Sequence, residues 1–540
     1  MLNSFVKKNL FYLFILVISF ISFFISFYQL NVQYDGHHHG LAFSISKDFL
    51  NNKIPYKDFL PNYGFFYILL NSFFIKIFSG SISGIYFLSS ISKGIGIFII
   101  GLLLSNLLNK KTAFIGVFSI FLIHPFVDTP WPDYLFLTLI LASFYLILVF
   151  KNSYSYFFSG VLYACAGLTK DNFIIILLLS LLIFQLIFFY YKFYKKIKII
   201  NFLNRFWLLG LFLPLITFGI FLFLNNIFFD FLYHFNYGKL AIKYYCISNV
   251  DNAILRTVDC GFISFFQLIK KSIYLIFSEP YWLFFLIIII FNLFFIIKNF
   301  IFCNYSEFNN NFFILICLSV LSLLLFSNTL YFHTIQRFYT GTLLGIIPLF
   351  YVINNIKSPE NKFILLSTLV IFLINGFQLG RTSNNPIYPT YTNKFQNNLE
   401  NLTFLKNKKF KSEEWLQLNE IKEISNFTKK NCPEIKYATN LTNDVFARVI
   451  LQENFQMLNF VQFGPRNKFI DEVYKMWDEN FSDNLKKLIK DQNILIAVDN
   501  TIEHKFSNFV YNELYKKKFI KYNNYGSKFI NIYLPKNCKF

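Results

Sequence analysis

LFYLFILVISFISFFISFYQL, residues 10–30, runs without a charge and is followed shortly by YDGHHHG, residues 34–40. A helix rises about 1.5 Å per residue, so a stretch of this length crosses the roughly 30 Å hydrocarbon core of a bilayer. Lys7 and Lys8 precede it, which puts the N-terminus in the cytoplasm and Asp35 on the far face. The run is longer than the apolar part of a signal peptide and lacks a small-residue cleavage site, so it reads as an uncleaved anchor.

Working outward, the same character recurs. The 540 residues are 55% hydrophobic with a mean hydropathy of +0.47, which excludes a soluble globular chain. Apolar runs follow at 82–108, 113–127, 134–150, 156–168, 173–190, 206–228, 282–297, 312–330, 338–353 and 363–374. Two shorter ones, 65–78 and 265–277, read as interfacial, re-entrant or crossing. The expected fold class is an α-helical polytopic membrane protein of about 11 to 13 spans, followed by a C-terminal soluble α/β domain.

Basic residues cluster at Lys110 with Lys111, Lys151, Lys192 through Arg205, Lys298, and Lys357 with Lys362. Placing these in the cytoplasm puts 31–63, 124–133, 169–172, 229–278, 333–337 and the tail on the other face. The net charge of +21 then serves orientation, and nucleic acid is not an expected partner. Seven Cys occur without a CxxC pair, and Cys165, Cys303 and Cys317 lie in or beside apolar runs. They read as small hydrophobes rather than a disulfide frame or zinc site.

Composition turns polar after Gln378, dividing the chain into a membrane domain, 1–384 with a first external loop at 31–63, and a tail domain, 385–540. Within the tail, 413–429 and 503–516 read as helices, and 494–498 and 529–534 as strands. It carries no Gly-rich phosphate loop, metal pattern or nucleophile motif, so its expected role is accessory or acceptor-docking.

Ionisable groups gather on the non-cytoplasmic face. Asp35 in the first loop can take a proton from an attacking hydroxyl or amine, and His37 and His38 stand beside it as catalytic candidates. Asp followed by Gly is also turn chemistry, so a capping role for Asp35 stays open. Consecutive helical residues diverge by about 100°, so at most two of His37, His38 and His39 could share a divalent metal. His37 and His38 leave that option open, with no other cofactor called for. IPYKDFLPNYG, residues 54–64, adds Tyr56, Asp58 and Tyr63, which with Tyr34 and His39 could orient the base or substrate. HPFVDTPWPDY, residues 124–134, adds Asp128 and Asp133, while GLTKDN, residues 167–172, adds Lys170 and Asp171. HTIQRFYTG, residues 333–341, adds His333, Arg337 and Tyr339. An Arg there suits a phosphodiester by bidentate contact, or anchors the chain at the membrane boundary among its aromatics.

An acid in the first external loop, a PYxDFxPxYG string, an HP…D turn, a GLTK turn and an Arg-aromatic boundary before a late span, in this order, resemble the GT-C glycosyltransferase superfamily. Within it, residues 1–380 look most like the family 39-like branch of bacterial protein O-mannosyltransferases and aminoarabinose transferases. The resemblance implies inverting transfer of a sugar from a polyprenyl-phosphate donor to a lipid, glycan or protein acceptor on the non-cytoplasmic face, in a bacterial inner membrane. It implies Asp35 as base, and Lys170, Arg337 and Tyr339 as contacts to the lipid phosphate. GHHH stands where many relatives carry an acid two residues after the Asp.

Two other function classes are weighed against this. A transporter or flippase of lipid-linked saccharides would place its polar groups near the midplane and often shows inverted repeats. A phosphoethanolamine-type transferase would want a metal-rich soluble domain with a Thr or Ser nucleophile.

Overall fold

The structure, a computed structural model, describes residues 2–32, 36, 38–59, 61, 63–122, 129–195, 204–234, 280–302, 310–327, 335–381, 395–396, 403–405, 410–441, 444–457, 487–499 apart from 489 and 492, 519–522, 530–535 and 538. Its helices are α1 (Leu2–Val32), α2 (His38–Leu50), α3 (Phe65–Ile77), α4 (Ser83–Leu107), α5 (Lys110–Phe121), α6 (Pro132–Val149), α7 (Ser153–Gly167), α8 (Asp171–Phe189) and α9 (Arg205–Leu224). They continue as α10 (Pro280–Phe302), α11 (Asn310–Ser327), α12 (Ile335–Asn354) and α13 (Pro359–Arg381), then α14 (Ser412–Asn431) and α15 (Val445–Leu451) in the tail.

Five of these, within α1, α4, α6, α8 with its following turn, and α9, are long and apolar enough to cross a membrane, and further apolar helices are shorter. α1 shows how such a helix packs. Leu10, Leu13, Val17, Phe20 and Phe24, spaced by three and four, are exposed, whereas Ile15, Ile18, Ser22, Ser26 and Leu30 are buried. The apolar stripe faces outward and small polar residues face inward, the arrangement expected where lipid is the solvent. Ser26 accordingly meets Ser90 of α4 at 3.3 Å. Thr138 of α6 donates to the Ser92 carbonyl at 2.6 Å, and Trp207 Nε1 of α9 donates to Ser159 of α7 at 3.1 Å.

The two ends of the bundle differ. At one end the backbone N–H of Asn109 donates to Asn354 at 3.3 Å, Lys362 donates to the Asn354 carbonyl at 2.8 Å, and Tyr191 donates to the Asn299 carbonyl at 3.1 Å. Most of the basic clusters flank these residues. The other end holds the start of α6, α8 and α12 together with α2 and α3.

The short segment 65–78 does not cross. Phe66 N–H at the start of α3 donates to the Leu168 carbonyl, and Ile82 N–H just beyond its end donates to the Phe404 carbonyl at 2.8 Å, so both ends are pinned at the same end of the bundle. The companion segment 265–277 lies outside the described residues.

In the tail, five strands order as β4-β3-β5-β7-β6, where β3 is Tyr437–Leu441, β4 Gln456–Met457, β5 Ile494–Asp499, β6 Phe519–Tyr522 and β7 Ile530–Pro535; β1 (Phe395–Gln396) and β2 (Phe410–Lys411) pair separately. β3 runs parallel to β4 and β5, and β7 antiparallel to β5 and β6. The sequence-predicted helix at 413–429 is α14, and the strands at 494–498 and 529–534 are β5 and β7; the helix expected at 503–516 lies outside the described residues. One hydrophobic core runs from Leu41, Phe43, Tyr67 and Tyr86 into Phe404, Phe446, Val449, Leu495 and Leu534.

The cysteine expectation needs correction. Cys432, just past α14, and Cys538, just past β7, form a disulfide across 106 positions. Only folding brings the two together, so no local spacing could announce the pair. Cys165 and Cys317 are free and buried.

Candidate active site

The site is built on a clasp between the first loop and the GLTK turn. Gly64 N–H donates to the Thr169 carbonyl and Phe66 N–H to the Leu168 carbonyl, both at 2.9 Å. A Cβ at Gly64 would fall 2.4 Å from the Leu168 oxygen and 2.5 Å from the Lys170 nitrogen, so only glycine permits this approach. The PNYG sequence thereby fixes where Lys170 and Asp171 stand.

Lys170 Nζ lies 3.5 Å from Asp133 Oδ2 and 5.2 Å from the ring centroids of Trp131 and Phe173. Asp133, in the first turn of α6 behind Pro132, sits where the helix dipole favours an anion. Its other oxygen accepts from Thr340 of α12 at 3.4 Å. These contacts are long, so Lys170 is an ammonium held over two aromatic faces by a loose ion pair. Both side chains are largely buried, 16% and 4% exposed, which strengthens any anion contact made there.

Asp171 opens α8 and is gripped from two sides. Tyr56 OH donates to Oδ1 at 3.1 Å, and His234 Nε2 lies 3.0 Å from Oδ2. His234 closes a helical segment at 228–234, and its ring stands 5.5 Å from that of Tyr56. Tyr56 has φ +69°, a strained value for a bulky residue that the surrounding contacts must hold in place. Burial, and then the Asp171 charge and hydrogen bond, raise the Tyr56 phenol well above its ordinary pKa, so it remains a donor throughout the physiological range.

The histidines part company. The His39 ring is buried and bonds Tyr86 OH through Nδ1 at 2.8 Å, whereas His38 lies 5.5 Å from the Trp131 ring. Tyr67 donates to the Pro130 carbonyl, with Tyr63 packed edge-on against it at 5.2 Å. Asp58 accepts from Ile54 N–H at 2.7 Å, so its carboxylate closes its own loop. Among the described residues, no three His, Cys, Asp or Glu converge as a metal cluster would require.

Of the sequence candidates, Lys170 and Asp133 are thus paired, as are Tyr56 and Asp171. Tyr34, Asp35, His37, Asp128 and His333 lie outside the described residues. Arg337 and Tyr339 fall in the first turns of α12, just ahead of Thr340, with their side chains outside the description. Four residues went unread in the sequence: Trp131, Thr340, His234 and Lys93. Lys93 carried the clearest signal, a lone charge inside an apolar run. Its side chain is fully buried in α4, with Nζ 4.3 Å from the Tyr134 ring centroid. A cation at that depth is costly and so usually functional.

No protein-family model matches the chain, and no curated protein sequence does. Among solved structures, ArnT from Cupriavidus metallidurans in the apo state superposes over 98% of this chain and 98% of its own, with TM-score 0.53 and 10% identity. ArnT bound to undecaprenyl phosphate gives TM-score 0.49 at 10% identity, over 98% and 97% of the two chains. The Archaeoglobus fulgidus oligosaccharyltransferase tethered with an acceptor peptide containing the NVT sequon gives 0.48 at 14%, over 97% of this chain and 75% of that one. The apo ArnT likeness is one of fold: this chain has an ArnT-like architecture.

Proposed function

We propose that this chain, on its ArnT-like fold, transfers a sugar from a polyprenyl-phosphate donor to a lipid, glycan or protein acceptor. The observation that carries this is the largely buried Lys170 over Trp131 and Phe173, held where the clasped first loop meets the starts of α6, α8 and α12. Asp35, just before the loop's Gly36, takes the acceptor proton. The acceptor oxygen or nitrogen then attacks the anomeric carbon from the face opposite the phosphate, inverting it. The anomeric C–O bond breaks and its electron pair leaves with the polyprenyl phosphate. Lys170 offsets the added charge on that leaving group, and Arg337 and Tyr339 join it from α12. Asp171, fixed by Tyr56 and His234, holds the GLTK turn in place.

The sidedness follows from charge. The basic end of the bundle faces the cytoplasm, so the site and residues 385–540 lie outside it, where a Cys432–Cys538 disulfide persists. One feature supports a transporter instead, the fully buried Lys93. Reconstitution separates the two: purified protein in proteoliposomes with a radiolabelled polyprenyl-phosphate sugar should form a glycosylated acceptor and release polyprenyl phosphate. Movement of the lipid-linked sugar across the bilayer without transfer would favour the transporter.

A further inference from the structure

The two glycines that bracket the histidines of YDGHHHG are contact points for the tail. Val445 N–H, at the start of α15, donates to the Gly36 carbonyl at 3.0 Å. A Cβ at Gly36 would fall 2.6 Å from the Asp444 carboxylate, and one at Gly40 would fall 2.9 Å from the Phe446 nitrogen. A side chain at Gly40 would meet the backbone of α15 and push it away, whereas one at Gly36 would displace the Asp444 carboxylate.

Further along both helices the contact becomes ionic. The Arg448 guanidinium donates to Asp48 Oδ2 at 2.9 Å and to Ser44 Oγ. Arg448 and Asp48 are 2% and 1% exposed. Lys53 also reaches Asp48, at 2.8 Å. Phe404 stacks on Phe43 at 5.2 Å and leans on Phe446 at 6.3 Å. α2 is consequently buried from His39 to Ser46 and again at Asp48, enclosed by α3 on one side and the tail on the other.

We infer that residues 444–448 of the tail hold Gly36 and α2 in their working position, with Arg448 a positioning residue for the transfer proposed above. The inference rests on that reading for its catalytic consequence. Its structural half, that α15 orders α2, can be measured separately.

The test uses the full chain in lipid nanodiscs and two unlike variants. Arg448→Met removes the guanidinium and leaves Asp48 buried beside Lys53, whereas Gly40→Ala keeps every charge and wedges α15 away. Each should speed amide exchange of residues 38–50 by about tenfold or more. Each should also lower turnover by roughly 10- to 100-fold, as small misplacements of a reacting group do, with donor KM within about threefold. The double variant Arg448→Met/Asp48→Leu, which replaces the pair by apolar contact, should recover both. Unchanged exchange in both single variants would overturn the inference, as would faster exchange with undiminished turnover. If the wild-type protein transferred no sugar, the proposed function would fall, while the exchange comparison would still decide whether the tail orders α2.

Discussion

The Lys170 ammonium rests 3.5 Å from the Asp133 carboxylate, joining the turn before α8 to the start of α6 at the end of the bundle where the first loop is clasped. On the proposed reading Lys170 turns from this contact toward the donor phosphate, so the pair bears on donor binding.

Charge-assisted contacts to a partly desolvated phosphate are worth about 1.5 to 3 kcal/mol. Lys170→Ala and Arg337→Ala should each weaken binding of a short-chain polyprenyl phosphate by roughly 10- to 100-fold. Asp133→Asn keeps the shape and removes a competing anion, so it should leave affinity intact or raise it. Affinity unchanged in the Lys170→Ala/Arg337→Ala double variant would leave Arg337 a membrane-boundary anchor and Lys170 a structural partner of Asp133.

Tyr56 supplies a pH signature. Its phenol, raised by burial and by Asp171, resists ionisation in the folded state more than in the unfolded one. The stability it contributes is therefore full below its ordinary pKa of 10.0 and is lost as pH rises above that value. Tyr56→Phe should cost about 1 to 3 kcal/mol near neutrality, because Asp171 loses a buried donor. Thermal unfolding followed from pH 8 to 11 should then decline less steeply for the variant than for wild type. Parallel curves would show that Tyr56 ionises freely.

The disulfide closes a loop of 106 positions, which the chain-entropy model values at about 4 to 5 kcal/mol. Mass-tagging of thiols should find two of the seven cysteines protected until reduction, and a Cys432→Ala/Cys538→Ala variant should unfold at lower temperature. Reactive thiols at both positions in native protein would refute the pairing.

Much of the membrane part was legible in the sequence, because bilayer thickness and charge sidedness impose span length and basic flanks on any chain. What escaped reading depends on folding. That α3 stays at one end is settled by hydrogen bonds from Phe66 and Ile82 to distant partners, and its composition alone also suits a crossing. Cys432 finds Cys538, and Asp171 finds His234, only once helices and sheet are assembled. At the site, the motifs point to Lys170 and Asp133, which are neighbours in the fold. Asp58 carried an equally suggestive motif, yet its carboxylate is engaged by Ile54 N–H. Lys93, a lone charge inside an apolar run, is readable from its setting.

Sidedness can be tested by fusion. Alkaline phosphatase joined after Lys539 should be active in bacteria, and a fusion after Lys196 should be silent. The reverse pattern would place the clasped end in the cytoplasm, where a nucleotide-sugar enzyme or a transporter fits better.

On the proposed mechanism Asp35 removes the acceptor proton while a lipid phosphate departs; Asp35→Asn isolates that role, since the amide keeps the shape and lacks the basicity. In proteoliposomes supplied with a polyprenyl-phosphate sugar, turnover should fall by about 10² to 10⁴, with thermal stability and donor affinity unchanged. An Asp35→Asn protein that turns over at close to the wild-type rate would contradict that role.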